Sequence, residues 1–314
     1  MILAVNLNAS IDKAYTVENF KPGTVTRVKE VIPTAGGKGL NVARVLNALN
    51  QTVSVTGFIG GFSGAFIEQQ LKEQKMPFEF IHVKGETRSC INIIDLSSNI
   101  HTELLEPGPY ISEEELDEFL EFYTSSVKQY DVITLSGSAP RGIDTDIYAK
   151  LISIAKNANK KVILDTSGEY LAKGIQSSPT LVKPNKSEAE LLLGRKLNNT
   201  GDLASAAKEL VDMGPEIVAI SLGAEGVMVA SSLTKETYWA VPPKIRPVNT
   251  VGCGDAMVAG FAAGLSNNWS LTECIKYAVA VSAAAALSPV TGGIVLKEVN
   301  NIIGNMDFHN LYLL

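Results

Sequence analysis

A short glycine-rich turn with one acidic residue leads into an apolar helical sequence and is the stretch of the chain best suited to chemistry. Gly252, Cys253 and Gly254 precede Asp255, and the Ala- and Gly-rich sequence that follows predicts a helix ending near Leu265. Such a turn predicts unpaired amides at a helix N-terminus, where they can bind an anion. A carboxylate beside that anion can orient a hydroxyl and take its proton, as phosphoryl transfer requires. The alternative is an ordinary helix start in which Asp255 only caps the first turn.

A second glycine-rich segment lies far upstream, at residues 34–46, and surrounds a lysine with glycines. Gly36 and Gly37 let the backbone approach a ligand closely, and Asn41 can donate and accept hydrogen bonds to a polyol. The segment is not a P-loop, because it lacks both the first glycine and the Ser or Thr that should follow Lys38. No G-x-G-x-x-G run occurs, which excludes the dinucleotide fingerprint. A turn that merely caps a helix is the alternative.

The scaffold for both segments is an alternation of strand and helix patterns. Short apolar runs that end at polar or glycine residues predict strands, and the sequences between them have helical periodicity. The predicted strands are residues 2–6, 52–56, 131–136, 161–165, 180–182 and 217–221. The predicted helices are residues 113–123, 145–157, 186–193 and 203–213, and residues 57–64 are expected to form a turn. The alternation predicts an α/β fold with a doubly wound, mostly parallel sheet flanked by helices, and with the polar motifs at its carboxyl edge.

Two stretches break this alternation. Residues 15–32 and 87–105 are rich in β-forming residues, alternate in polarity with a period of two and lack helical periodicity. We interpret them as a small β-sheet beside the main one, formed by about residues 12–33 and 87–105 of a single domain over residues 1–314. A pair of edge hairpins with no moving role is the alternative.

The composition narrows the class of protein. The 314 residues, 46% of them hydrophobic, can bury a large core, and the net charge of −6 argues against general nucleic-acid binding. The longest apolar run, residues 278–287, is too short to span a bilayer, and no charged region followed by an apolar one opens the chain. Three cysteines at unrelated spacings predict neither a disulfide framework nor a metal site. We therefore expect a cytoplasmic enzyme that binds neither nucleic acid nor a membrane.

Six motifs in register along the whole chain resemble those of the ribokinase/PfkB family of carbohydrate kinases. They are residues 6–12 (NLNASID), 36–41 (GGKGLN), 136–138 (SGS), 183–188 (KPNKSE), 221–226 (SLGAEG) and 252–255 (GCGD). The resemblance implies a ribokinase-like fold, the use of ATP and Mg²⁺, and transfer of a phosphoryl group to a sugar. It also implies that the small sheet is a lid that closes over the sugar.

The resemblance and the chemistry of the turn together assign the transfer step. Asp255 is expected to be the catalytic base that acts on the acceptor hydroxyl. The backbone amides of Gly252, Cys253 and Gly254 are expected to bind the transferring γ-phosphoryl group. A thiol at a helix N-terminus, like that of Cys253, can have a lowered pKa. The alternative is that cysteine is simply small enough to fit between the two glycines.

The nucleotide side is assigned in the same way. The expected ATP contacts are Lys183, Asn185, Ser221, Gly223 and Gly226. Asn185 and Glu188 are spaced so that they share one helix face, and they are expected to hold Mg²⁺ largely through water. The competing interpretation is a helix capping box, whose spacing the same two residues have, and both can be true.

The acceptor side is expected to bind a phosphorylated sugar. The expected sugar contacts are Asp12, Asn41 and the backbone of Gly36 and Gly37. The expected phosphate contacts are Arg27, Lys38 and Arg88, with the hydroxyl of Ser138. Guanidinium groups bind phosphate bidentately, which a kinase of neutral sugars would not need. The alternative for each basic residue is a solvated charge on the lid.

Further runs resemble most the tagatose-6-phosphate kinase branch of the family, and the 1-phosphofructokinase branch is very close. These runs are residues 34–42, 85–91 and 102–109. Both branches imply a ketohexose phosphate as the acceptor and a ketohexose 1,6-bisphosphate as the product, and one sequence does not show which epimer fits. A kinase of a neutral sugar or nucleoside is disfavoured by the basic residues. A sugar-phosphate sensor without chemistry is disfavoured by the intact Asp255. An exposed β edge seeks a partner, so we expect a homodimer through the lid.

Overall fold

The computed structural model describes residues 1–311, so residues 312–314 of the expected single domain lie outside the described part of the chain. Over residues 1–311 the larger of two sheets has ten strands: β1 (Ile2–Asn6), β4 (Val53–Ile59), β5 (Phe78–His82), β8 (Val132–Ser136), β9 (Lys161–Asp165), β10 (Leu181–Val182), β11 (Ile217–Ser221), β12 (Val227–Ser231), β13 (Thr237–Val241) and β14 (Asp307–Asn310). The smaller sheet has four strands over the same residues: β2 (Ser10–Val17), β3 (Glu30–Gly36), β6 (Arg88–Asp95) and β7 (Ile100–Leu105). The described helices are α1 (Lys38–Ala48), α2 (Gly61–Glu73), α3 (Glu113–Ser126), α4 (Ile147–Asn157), α5 (Gly168–Ile175), α6 (Lys186–Leu193), α7 (Thr200–Asp212), α8 (Cys253–Ser266), α9 (Leu271–Ala286) and α10 (Leu296–Gly304).

The larger sheet is mostly parallel, as the sequence predicts. Its strands lie in the order β14-β13-β12-β11-β10-β9-β8-β1-β4-β5. Neighbours from β11 to β5 are parallel, whereas the pairs that add β12, β13 and β14 are antiparallel. The six strands predicted from the sequence all belong to the parallel part. The antiparallel edge was not predicted.

Helices cover both faces of this sheet because its strands are apolar on both faces. In β1, Ile2 and Ala4 are buried in one core, and Leu3 and Val5 are buried in the other. The first core includes residues of α1, α8 and α9, and the second includes residues of α3, α4 and α7. A strand buried on both sides has a continuous apolar sequence, which is typical of a doubly wound sheet.

Close packing of α8 against α9 fixes the helix that carries Asp255. Gly260 makes this approach possible, since a Cβ atom at that position would lie 2.5 Å from the Cα of Ala278. Most of α8 beyond its first turn is buried. The start of α8 is therefore placed by a packed core and not by a mobile loop.

The smaller sheet has the order β3-β2-β6-β7, with β2 and β6 parallel and the outer pairs antiparallel. Its four strands coincide only in part with the predicted ones. The small sheet is present as predicted, but residues 18–29, in the middle of the first β-rich stretch, lie outside any strand. Pro22 and Gly23 lie in this connection, and Gly23 has a positive φ of 80°, a conformation that a β-strand does not contain.

The predicted turn at residues 57–64 was wrong. Strand β4 continues to Ile59, and helix α2 starts at Gly61. Gly57 lies within the strand, and the position requires glycine because a Cβ atom there would be 2.0 Å from the carbonyl oxygen of Asn6. This glycine serves close strand packing and does not mark a turn.

No helix in the described part of the chain has both the length and the apolar character that a membrane span requires.

Candidate active site

The polar motifs meet at the carboxyl edge of the parallel strands. Asn6 ends β1, Ser136 ends β8, Asp165 ends β9 and Ser221 ends β11. Parallel strands end at one edge of their sheet, so these residues line a single cleft, where open α/β sheets bind ligands.

The turn before α8 has the geometry that the sequence predicts. Gly252 adopts a left-handed conformation with φ of 85° and precedes the first helical residue. Within residues 1–311, no side chain or carbonyl accepts a hydrogen bond from the amides of Gly252, Gly254 or Asp255. The amide of Cys253 is engaged, because it donates to the carbonyl oxygen of Thr250 at 3.3 Å. The turn therefore offers free amides to an anion, although Cys253 has an internal partner.

Asp255 is buried, with 5% of its surface exposed, and has one side-chain partner among the described residues. The Nδ2 of Asn41, from the second glycine-rich segment, donates to the Oδ2 of Asp255 at 2.8 Å. Burial and the nearby Asp165 carboxylate raise the pKa of Asp255 to about 6, although Lys38 opposes this. Such a carboxylate is ionised at neutral pH and is a stronger base than an exposed one.

Asp165 belongs to the site but was not among the residues predicted from the sequence. Its carboxylate is 1% exposed and pairs with the Nζ of Lys183 at 3.2 Å and with the Nζ of Lys38 at 3.4 Å. Burial raises its pKa, but the two ammonium groups outweigh burial and hold the pKa below the ordinary value. A charged residue at the carboxyl end of a predicted buried strand was the available signal.

The structure brings Lys38 together with Asp165 and Asp255, on the side of the cleft where a phosphoryl group would be transferred. It does not bring Lys38 together with Arg27 and Arg88, with which it was expected to bind a phosphate. Burial lowers its pKa, but the carboxylates of Asp165, Asp255 and Glu188 outweigh burial and raise it. Because Asp255 and Asp165 both attract the ammonium, Lys38 stays charged beside the base.

Lys183 is the second lysine of this network. It is 4% exposed, and its Nζ lies 3.5 Å from the position that a Cβ on Gly254 would take. A buried ammonium therefore lies directly behind the anion-binding turn. Two fixed positive charges beside free amides can stabilise a transferring phosphoryl group.

Asp12 and Gly36, both expected on the acceptor side, are in direct contact. The Oγ of Ser10 donates to the Oδ1 of Asp12 at 2.6 Å. A Cβ on Gly36 would lie 2.1 Å from the Cγ of Asp12, so only glycine admits this carboxylate. Burial raises the pKa of Asp12, and the bond from Ser10 and the charge of Arg44 offset this only in part.

Replacing Gly36 with Ala should therefore displace the Asp12 carboxylate and weaken acceptor binding. A charged hydrogen bond contributes about 1.5–3 kcal/mol, so we expect the acceptor KM to rise by about 10–100-fold, with the KM for ATP unchanged. Gly304→Ala is the matched control, because a Cβ there meets nothing within 4 Å. Steady-state kinetics of both variants test this, and an unchanged acceptor KM in Gly36→Ala would remove Asp12 from the acceptor site.

Arg88 and Ser138 meet at Asn8, and Arg27 does not join them. Arg88 donates to the carbonyl oxygens of Asn8 and Glu106, each at 3.0 Å, and the Nδ2 of Asn8 donates to the Oγ of Ser138 at 3.2 Å. Arg27 is exposed in the connection between β2 and β3 and makes no hydrogen bond or ion pair with any residue that the structure describes. The β structure predicted around Arg27 does not form, because residues 18–29 lie outside any strand.

Three of the five predicted nucleotide residues line one cavity of about 340 Å³. Asn185, Ser221 and Gly223 belong to its walls. Gly226 instead serves the turn into β12, because a Cβ there would lie 1.9 Å from the carbonyl oxygen of Ala240. Lys183, two residues before Asn185, joins this cavity to the anion-binding turn.

Asn185 and Glu188 form the capping box that the sequence allowed as the competing interpretation. The amide of Glu188 donates to the Oδ1 of Asn185 at 2.9 Å, and the amide of Asn185 donates to the Oε2 of Glu188 at 2.8 Å. The Oε1 of Glu188 takes no part in the capping box, and the negative charge of Glu188 contributes to raising the pKa of Lys38. No group of three or more acidic, His or Cys side chains in residues 1–311 is arranged to hold a metal ion. One carboxylate oxygen fits Mg²⁺ that keeps much of its water.

The thiol of Cys253 is not activated. Burial and the charge of Asp255 raise its pKa to about 11, which favours the interpretation that cysteine is simply small enough to fit between the two glycines. Helix position alone does not decide the pKa when a carboxylate lies in the same turn.

Together, the residues of the cleft define a class of protein. A buried carboxylate faces free amides and two lysines, beside a cavity and a second carboxylate, as expected of an enzyme that transfers a phosphoryl group to a hydroxyl. The family model described as "pfkB family carbohydrate kinase" matches residues 5–297. The chain belongs to the pfkB family of carbohydrate kinases, whose members use ATP.

Known proteins extend this result. A tagatose-6-phosphate kinase from Staphylococcus epidermidis is 38% identical over 310 residues, which is 98% of this chain and 99% of the relative. The structure of phosphofructokinase-2 from Escherichia coli in complex with potassium is 28% identical, covers 97% of this chain and 98% of its own, and has a TM-score of 0.90. The same enzyme in complex with fructose-6-phosphate has a TM-score of 0.88 at the same identity and coverage. The predicted fold is therefore confirmed.

Proposed function

We propose that this chain transfers the γ-phosphoryl group of ATP to the free 1-hydroxyl of tagatose-6-phosphate and produces tagatose 1,6-bisphosphate. The observation that carries the chemistry is the buried Asp255, bonded to Asn41 beside the free amides of the turn at Gly252. The relative with 38% identity over nearly the whole chain supports the choice of acceptor. 1-Phosphofructokinase remains the alternative.

In the proposed reaction Asp255 takes the proton of the acceptor hydroxyl. Its pKa of about 6 leaves it ionised at pH 7 and close enough to neutrality for efficient proton transfer. The hydroxyl oxygen then forms a bond to the γ-phosphorus as the bond to the leaving oxygen of ADP breaks. The amides of Gly252 and Gly254 and the ammonium groups of Lys38 and Lys183 bind the charge on the moving group.

ATP would bind in the cavity at Asn185, Ser221 and Gly223, with its phosphates toward Lys183. Mg²⁺ would be held through water at Glu188 and by the phosphates, and it supplies neutralisation of the phosphate charge. Glu188 has one carboxylate oxygen that the capping box does not use.

The acceptor would lie between Asp12, Asn41 and the backbone of Gly36 and Gly37. For its phosphate we propose Arg88 and Ser138, with Arg27 joining from its connection when the lid closes. Two arrangements support this: Arg88 and Ser138 both contact Asn8, and Arg27, on a segment outside the strands, has no ion-pair partner within residues 1–311.

The smaller sheet would be the lid and also the contact between two copies of the chain. Large apolar side chains are exposed on both of its edge strands: Val31 and Ile32 on β3, and Ile100, Leu104 and Leu105 on β7. Apolar surface on open strand edges favours a partner, and a second copy has the same surface. Sedimentation velocity tests the dimer, which a monomer at working concentration would contradict. The three cysteines are free thiols, in keeping with a cytoplasmic location.

The proposal is tested by kcat/KM with Mg·ATP against tagatose-6-phosphate, fructose-6-phosphate, fructose-1-phosphate and the free sugars. We expect the highest value for tagatose-6-phosphate. A preference for fructose-1-phosphate would favour the alternative, and turnover of free sugars alone would overturn the phosphate assignment. Binding without any turnover would favour a sugar-phosphate sensor.

A further inference from the structure

Arg44 lies in α1, one helical turn after Asn41, and its guanidinium joins the two sides of the cleft. Its Nη1 donates to the carbonyl oxygen of Ala35, next to the end of β3, and its Nη2 donates to the Oδ1 of Asn41. The Arg44 side chain reaches from Ala35 in β3, on the acceptor side, to Asn41, whose amide is hydrogen-bonded to Asp255.

The bond from Arg44 determines which end of the Asn41 amide faces the base. A guanidinium only donates, so the group of Asn41 that meets it must be the oxygen. The Nδ2 is then left to donate to the Oδ2 of Asp255 at 2.8 Å. If the amide were reversed, its oxygen would face the carboxylate oxygen and repel it. Arg44 therefore selects the orientation in which Asn41 stabilises the ionised base.

Arg44 also contacts the loop behind the anion-binding turn. A Cβ on Gly292 would lie 2.8 Å from the Nε of Arg44, so the guanidinium packs directly on this glycine. The amide nitrogen of Gly292 lies in turn 3.4 Å from the Cβ position of Gly252. The Nε is buried and has no hydrogen-bond acceptor among the described residues. The Arg44 side chain thus contacts Ala35 in β3, Asn41 in α1 and the loop at Gly292. The transfer step needs these three parts of the cleft in fixed positions relative to one another.

The charge of Arg44 acts on both carboxylates of the cleft. Burial lowers the pKa of Arg44, while Asp12 and Asp255 favour its charged form. The charged groups that face Asp255 are Asp165, Lys38, Lys183 and Arg44. Of these cations only Arg44 also bonds Asn41, so losing it removes a charge and an oriented hydrogen bond together.

We propose that Arg44 is a positioning residue that orients Asn41 toward Asp255 and thereby couples the acceptor-side strand to the catalytic base. This proposal rests on the proposed function, because it assigns Arg44 a part in the same transfer step. Arg44 does not itself touch the reacting atoms.

A double-mutant cycle on kcat tests the coupling, using Arg44→Gln, Asn41→Ala and both together. We expect Arg44→Gln to lower kcat about tenfold or more in the wild-type background, but less than about threefold in the Asn41→Ala background. Equal effects in both backgrounds would overturn the proposal. Arg195→Gln, which removes an exposed arginine bonded to Glu209, is the control and should leave kcat unchanged.

Arg44→Lys distinguishes the orienting role of Arg44 from the effect of its charge. It also provides a second variant with a long side chain at this position if Arg44→Gln folds poorly. A lysine keeps the positive charge but lacks the planar fork that reaches Ala35 and Asn41 together. We expect its kcat to stay within a few fold of that of Arg44→Gln. Full recovery of kcat in Arg44→Lys would overturn the orienting role.

The pH dependence of kcat tests the proposal in a way that loss of stability alone would not affect. Loss of the charge and of the Asn41 bond should raise the pKa of Asp255 further, so the acid limb of the kcat profile should move to higher pH in Arg44→Gln. An unmoved limb would contradict the proposal.

The same shift can be followed without turnover, in the free energy of unfolding against pH. Asp255 has a folded pKa of about 6, above its ordinary value of 3.8, so its protonated form favours the folded state. Its contribution is present below about pH 4 and is lost as the pH rises through 6. Arg44→Gln should extend this loss to higher pH, and the difference should vanish in an Asp255→Asn background. A wild-type protein that phosphorylates no acceptor would refute the proposed function, and this titration would still decide the role of Arg44.

Discussion

Asp255→Asn should lower kcat by about 10²–10⁴-fold, the range that a general base contributes. The amide is nearly isosteric with the carboxylate but cannot take a proton from the acceptor hydroxyl. Because Asn41 and the turn at Gly252 do not depend on that proton, we expect acceptor affinity to change little. Steady-state kinetics give kcat, and isothermal titration calorimetry gives the acceptor Kd.

The control for Asp255→Asn is Asp212→Asn, which removes one negative charge from an exposed position at the end of α7. Its kcat should equal that of the wild type. Near-normal turnover in Asp255→Asn would remove Asp255 from the mechanism, whereas equal losses in both variants would point to net charge.

Asp165→Asn should reduce both stability and turnover, because it leaves the buried ammonium of Lys183 without its counter-charge. Breaking a buried ion pair costs about 3–5 kcal/mol. A protein of this size should then melt at a temperature lower by roughly 6–20 °C. We also expect kcat to fall by about tenfold or more, since Lys38 and Lys183 lose the group that holds them at the turn.

The pH profile of Asp165→Asn distinguishes loss of positioning from simple unfolding. The Asp165 charge raises the pKa of Asp255, so its removal should lower that pKa and move the acid limb of kcat to lower pH. Arg44→Gln is expected to move the same limb in the opposite direction, to higher pH. Asp131→Asn is the control, because Asp131 pairs with the amino group of Met1 at an exposed site. A limb that moves upward, or does not move, would contradict the electrostatic role of Asp165.

The sequence was sufficient to predict the parallel part of the large sheet. Its strands are short apolar runs that end at polar residues, and burial on both faces requires such runs. It was not sufficient for residues 18–29, where alternating residues such as Val25 and Arg27 imitate a strand. Alternation shows that a segment can pair, but β3 pairs with β2 only from Glu30 onward.

The site was predictable where glycines and carboxylates share a motif, as in the turn before Asp255. It was not predictable where the chemistry depends on contacts between distant residues. Asn41 and Asp255 were each singled out, but their hydrogen bond spans 214 positions of the chain. Asp165 and Arg44 were not predicted, because a single charged residue at a strand end is a weak signal and one within a helix has no local pattern. Their partners become visible only when the sheet edge brings them together.

The most direct measurement is a ³¹P NMR spectrum of the products formed from Mg·ATP and tagatose-6-phosphate by the wild-type protein and by Asp255→Asn. For the wild type we expect a second phosphomonoester resonance on the sugar, equal in amount to the ADP released. In the same reaction time the variant should form about 10²–10⁴-fold less of both. ADP released together with inorganic phosphate and no new sugar phosphate would contradict transfer to the acceptor. A second sugar phosphate formed at wild-type rate by Asp255→Asn would contradict the assignment of the base.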